Sequence, residues 1–245
     1  MFAASLALLN ERVDESAAVL DVGGWARPLA RADWVLDLMP YESRGMLGHD
    51  GDAAAERFDR DTWVTCDLCD REPWPFEDDR FDFAVCSHTL EDLRDPLWVC
   101  SELRRVARAG YIEVPSRLEE QAWNVQGPWV GWGHHHWLID ITGQAISFVF
   151  KPHILGGLPG SAFPAGFADA LPAAERLQML WWENSFDFGE RLFYEPSELN
   201  RYLTGFVDAN LHRAPRVGPA RARRASGLPR RLLTRLRGAA RGRSG

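Results

Sequence analysis

A chain of 245 residues, 46% hydrophobic and 11% aromatic, carries enough apolar material for one full core, and this excludes an extended disordered protein. Four cysteines behind no basic, cleavable leader argue against a disulfide scaffold and point to a reducing, cytoplasmic setting, and no run approaches the ~20 apolar residues of a membrane span. The net charge of −7 hides an asymmetry: all 35 acidic residues precede Arg213, whereas 11 of the 28 basic ones lie at or beyond it. Such a basic end suits an anionic membrane surface or another polyanion, and equally a solvated tail folding back on its own acidic body; no specific nucleic-acid contact is expected.

In chain order, residues 1–10 read as an amphipathic first helix. Residues 18–22 are a short apolar run holding Asp21 and followed by Gly23-Gly24, the pattern of a buried strand entering a tight turn. The same shape recurs where Trp34-Val35-Leu36 meets Asp37 and where residues 63–66 meet Asp67. Residues 81–86 form a fourth strand. Asp95-Pro96 then opens a helix with an N-cap aspartate and a proline in its first turn, and residues 111–114 form a fifth strand stopped by Pro115. Strands separated by crossover-length segments imply an α/β fold with a mainly parallel, doubly wound sheet.

Beyond residue 116 the rhythm changes. Residues 137–141 and 145–150 predict a β-hairpin around Thr142-Gly143-Gln144, residues 173–184 a helix, and residues 186–194 a second hairpin or an edge pair. The expected organisation is a core over 1–116, a hairpin-containing, substrate-facing elaboration over 117–212 that completes the fold, and a basic tail over 213–245. Leu228, Leu232, Leu233 and Leu236 give that tail one amphipathic stretch.

In an open α/β sheet, ligands bind outside the carboxyl ends of the strands, where Asp21, Asp37 and Asp67 fall. A glycine turn, an acid some 20 residues on and further edge contacts suit a nucleoside cofactor. The turn reads Gly23-Gly24-Trp25-Ala26-Arg27-Pro28, without the G-x-G-x-x-G glycines that bring a backbone up to a pyrophosphate, which disfavours nicotinamide dinucleotides.

The stretch from Val19 to Pro115 resembles the class I S-adenosylmethionine-dependent methyltransferases, in particular methyltransferase type 11. The resemblance is carried by Val19-Leu20-Asp21-Val22-Gly23, by Asp37, by Asp67-Leu68 ahead of residues 73–82, by residues 87–93, and by residues 102–106. It implies a Rossmann-like fold and S-adenosyl-L-methionine as cofactor. It further implies Asp21, Gly23 and Gly24 at the methionine end, Asp37 on the ribose, Asp67 and Leu68 against the adenine, and Ser87 and His88 on the pocket floor. Trp25 stands where the family's second glycine is usual, and Asp92 where a histidine is common.

Methyl transfer asks the protein to align donor and acceptor and to remove a proton from a hydroxyl acceptor. His134, His135 and His136 are the candidate catalytic groups, since imidazole titrates near neutrality, with a structural role at the hairpin's start as the alternative. Neighbours on a strand face opposite ways, so this run by itself is not expected to hold a metal. Cys66 and Cys69 resemble one half of a zinc motif whose second half is missing, and no metal is expected there either. The expected function is methyl transfer to an O or N atom of a small-molecule or glycan-like acceptor. The alternative is a catalytically degenerate, methyltransferase-like binding protein, peripheral at an anionic membrane or polyanion through residues 213–245.

Overall fold

The computed structural model describes residues 1–213. Helix α1 (Ala3–Arg12) leads into β1 (Val19–Val22), β2 (Trp34–Asp37), β3 (Trp63–Thr65) and β4 (Phe83–Ser87). Helix α2 (Pro96–Val106) then precedes β5 (Ala109–Pro115) and the single turn α3 (Arg117–Glu120). The rest comprises β6 (Trp137–Thr142), β7 (Ala145–Phe150), β8 (Leu177–Glu183), β9 (Asp187–Glu190) and α4 (Pro196–Asn210). The main sheet has the order β3-β2-β1-β4-β5-β8, its first five strands parallel and β8 antiparallel to β5. A second sheet, β6-β7-β9, contains the expected hairpin, with Gly143 in its turn at φ 59°.

Period-two alternation divides the sheet's side chains between two cores. Val19, Val35, Phe83, Val85 and Tyr111 pack with Leu9 of α1 on one face. Leu20, Val22, Leu36, Cys86 and Ile112 pack with Val99, Leu103 and Val106 of α2 and with Ile139, Ile146 and Phe148 of the small sheet on the other. Burial on both faces explains why the parallel strands read as continuous apolar runs. Helix α2 starts as its sequence dictates: the Asp95 side chain accepts from the Trp98 amide at 3.1 Å, and Pro96 occupies the first turn, where its missing N–H costs nothing.

One link is irregular, one local expectation is corrected and another is narrowed. The link from β1 to β2 contains no helix; residues 23–33 run as turns, pinned by the Trp25 amide donating to Asp37 and the Leu29 amide donating to Asp21. Residues 173–184 form a 3-10 turn and then strand β8 instead of a helix, because the open edge of β5 offers a ladder along the whole of Leu177–Glu183. Residues 186–194 form no second hairpin; the edge alternative holds, with β9 the edge strand of the small sheet, parallel to β7 from Ala145↔Asp187 to Phe148↔Glu190. Among the described residues no helix is long and apolar enough to cross a membrane. The basic tail and its leucine stretch lie outside the described residues, apart from Arg213.

Candidate active site

A cavity of about 520 Å³ opens at the carboxyl ends of β1, β4 and β5. Asp21, Gly23, Gly24, Ser87 and His88 line it from the sheet, and Glu91, Asp92, His134 and His135 from the loops above. Asp37, Asp67, Leu68 and His136 are not part of this wall. The Asp37 carboxylate accepts from the amides of Trp25 (3.0 Å) and Met39 (2.8 Å) and so holds the turn after β1. Asp67 accepts from the Cys69 amide at 2.9 Å and from Arg94 at 2.8 Å, which keep it ionised below the usual carboxylate range. Leu68 is 4% exposed within the core, and the exposed His136 borders a different cavity beside Lys151 and Phe150.

The glycine turn is shaped by its neighbours. A Cβ on Gly24 would lie 2.2 Å from Asp21 Oδ2, and one on Gly23, at φ 79°, would lie 2.3 Å from Thr89 Oγ1. Trp25, in place of a further glycine, packs into the α1-side core and donates from its indole to Ser43.

Carboxylates dominate the electrostatics. Burial raises Asp21 to about 7, the Leu29 amide opposing and the Asp50 charge adding to the effect. Glu113, fully buried, is pushed the other way: burial disfavours its charge, but His88, the Tyr111 hydroxyl and the Phe2 amide outweigh that and bring it to about 2. Ser87 also donates to it at 3.1 Å. His88 adopts a left-handed φ of 54°, and its ring lies 3.3 Å from Glu113 and 3.5 Å from Glu91. Burial lowers its affinity for a proton, yet the nearby carboxylates of Glu113 and Glu91 raise it to about 9, which favours the cationic ring at neutral pH.

Glu91 is 1% accessible; its Oε1 stands 3.5 Å from the His88 ring, and neither carboxylate oxygen accepts a hydrogen bond of ordinary geometry. The His88 charge offsets part of the cost of burying this carboxylate, and its oxygens keep room for a further donor. A positively charged ligand with an amino-acid end fits such a set, with Asp21 and Glu91 for its positive groups and the His88 imidazolium for its carboxylate. On the opposite side, Trp132 stacks on His135 with ring centroids 5.6 Å apart, forming an aromatic flank.

Five parallel strands with a cavity at their carboxyl ends define a Rossmann-like α/β fold. Residues 43–112 match the sequence model of the methyltransferase domain family, and this likeness implies S-adenosylmethionine as cofactor. The match begins after β2, so it does not reach Asp21, Gly23, Gly24 or Asp37. No curated protein matches the chain. Among solved structures, a [4+2]-cyclase is 20% identical, with a TM-score of 0.36 over 52% of this chain and 50% of that one. A methyltransferase of Thermotoga maritima is 16% identical, TM-score 0.32, over 49% and 53%. Another, of Aquifex aeolicus, is 18% identical, TM-score 0.34, over 51% and 69%. The chain spans about half the length of the first two.

Proposed function

We propose that the protein transfers a methyl group from S-adenosylmethionine to an O or N atom of a small-molecule or glycan-like acceptor in the cavity above β1, β4 and β5. The observation that carries this reading is the buried carboxylate of Glu91, 3.5 Å from the cationic His88 and without a hydrogen bond of ordinary geometry, in a wall of the size that ordinary metabolite sites have. The cofactor supplies an electrophilic methyl group on a sulfonium. Asp21 and Glu91 would hold its positive charges at low local dielectric, while His88, braced by Glu113, would take its carboxylate. Alignment of the acceptor would fall to the flank of Trp132, His134 and His135, which line the same space. His134 and His135 are the groups placed to receive a hydroxyl proton there; His136, on the neighbouring cavity, is not.

Calorimetric titration of the full chain with S-adenosylmethionine tests the reading. Binding should weaken by roughly tenfold or more in His88→Ala, in line with the loss of a charge-assisted hydrogen bond, while Asp67→Asn leaves it nearly unchanged. No heat of binding at millimolar cofactor would overturn the proposal.

A further inference from the structure

The fold adds to the histidine run what the sequence placed elsewhere. Asp92, on the loop after β4, brings one carboxylate oxygen to 3.8 Å from Nε2 of both His134 and His135. That spacing is too long for a hydrogen bond. It is close to the separation of atoms that share one ion, since ligands about 2.0–2.1 Å from a tetrahedral metal stand about 3.4 Å apart. All three ligand atoms lie within 4.8 Å of one another.

The next layer favours metal over a simple ion pair. His135 Nδ1 is 2.6 Å from Glu120 Oε1, and Glu120, 1% exposed, also accepts from Lys151 at 2.8 Å. With Lys151 donating to the other Glu120 oxygen, Glu120 is the acceptor and Nδ1–H the donor in this pair. In the neutral ring this tautomer leaves Nε2 as a bare lone pair aimed toward Asp92. Two acceptors then face each other with no proton between them, an arrangement a cation resolves. Carboxylate–histidine pairs of this kind orient imidazole ligands in metal sites. Trp132 stacks on the same ring at an interplanar angle of 24° and fixes its plane.

We propose that Asp92, His134 and His135 bind one divalent transition-metal ion of the zinc or cobalt type, with Glu120 and Lys151 positioning His135. Two imidazoles and one carboxylate are the donor set such ions take, and three protein ligands leave a position open on the cavity for water or an acceptor oxygen. With the ion in place the two histidines act as ligands, and an acceptor hydroxyl on the metal would lose its proton more readily. The ion's presence does not depend on methyl transfer.

Titrating the full, metal-stripped chain with Co²⁺ and following its visible d–d absorption tests the site without cofactor or turnover, so its outcome and that of the S-adenosylmethionine titration are independent. One Co²⁺ per chain, displaced by Zn²⁺, is the expected result. Asp92→Ala and His134→Ala, both at exposed positions that should fold normally, are expected to weaken binding by about tenfold or more, and Glu120→Gln by about 10–100-fold. His153→Ala, near His136 but outside the cluster, should leave the affinity unchanged. Absence of stoichiometric Co²⁺ or Zn²⁺ binding at metal on the order of 0.1 mM overturns the proposal. So does unchanged affinity in Asp92→Ala, which would place the ion on the histidine run alone.

Discussion

Asp21 and His88 face the same cavity yet titrate for opposite reasons. Asp21 is held near 7 in the fold against a usual 3.8, so between those values the folded chain keeps a proton that the unfolded chain has released. Its contribution to stability therefore falls as pH rises from about 4 to about 7. Asp21→Asn keeps an acceptor for the Leu29 amide and should flatten that part of a urea-midpoint profile; a slope identical to wild type would assign the effect to another group. His88, raised to about 9 from 6.5, stabilises fully below about 6.5 and loses that contribution as pH climbs through 9. Its partner Glu113, lowered to about 2 from 4.5, contributes above about 4.5 and fails as pH falls toward 2. His88→Gln is expected to remove the decline between pH 6.5 and 9 in thermal melts. Strand-end acids are legible in a sequence because an apolar run closed by Asp is distinctive. What each does is not legible, since the hydrogen bonds that commit Asp37 to Trp25 and Met39, and Asp67 to Arg94, join residues that only the fold brings together.

Elements here are held by a few close approaches. The loop after α3 can pass over Glu120 only because residue 131 is glycine: at φ 64° a Cβ would stand 2.5 Å from the Glu120 carbonyl and 2.9 Å from Lys151 Nζ. Gly131→Ala should cost on the order of 1–3 kcal/mol in chemical denaturation, from left-handed strain and the displaced ion pair. Asp95→Ala, which removes the α2 cap, should cost about 1 kcal/mol by the same measurement. That cap was readable from Asp95-Pro96 alone because capping is local. Strand β8 was not: Leu177-Gln178-Met179-Leu180-Trp181-Trp182 is apolar without a clear period, since Leu180 and Trp182 enter one core while Met179 and Trp181 pack on the other. The aromatic pair Trp181-Trp182 was the one available hint of a strand.

At the scale of the whole molecule, the methyltransferase-like stretch is not a self-sufficient body. Its edge strand β5 is paired over its full length by β8, which the chain supplies after residue 176. Residues 1–116 expressed alone would leave that edge open, together with the apolar surface that Leu180, Trp182, Ile139 and Phe148 cover. They are expected to aggregate or melt without cooperativity in calorimetry, whereas residues 1–213 should unfold in one transition. A sharp melt of the shorter chain would show that β8 is dispensable.

By itself the sequence determined the α/β class, the parallel strands and their chain order, the cap of α2 and the hairpin at Gly143, because alternation, turn chemistry and capping act over a few residues. Only the tertiary structure decided which acids share a wall, that Asp92 meets His134 and His135, and that β8 closes the sheet. Those outcomes depend on contacts between segments far apart in the chain, whose partners local patterning does not encode.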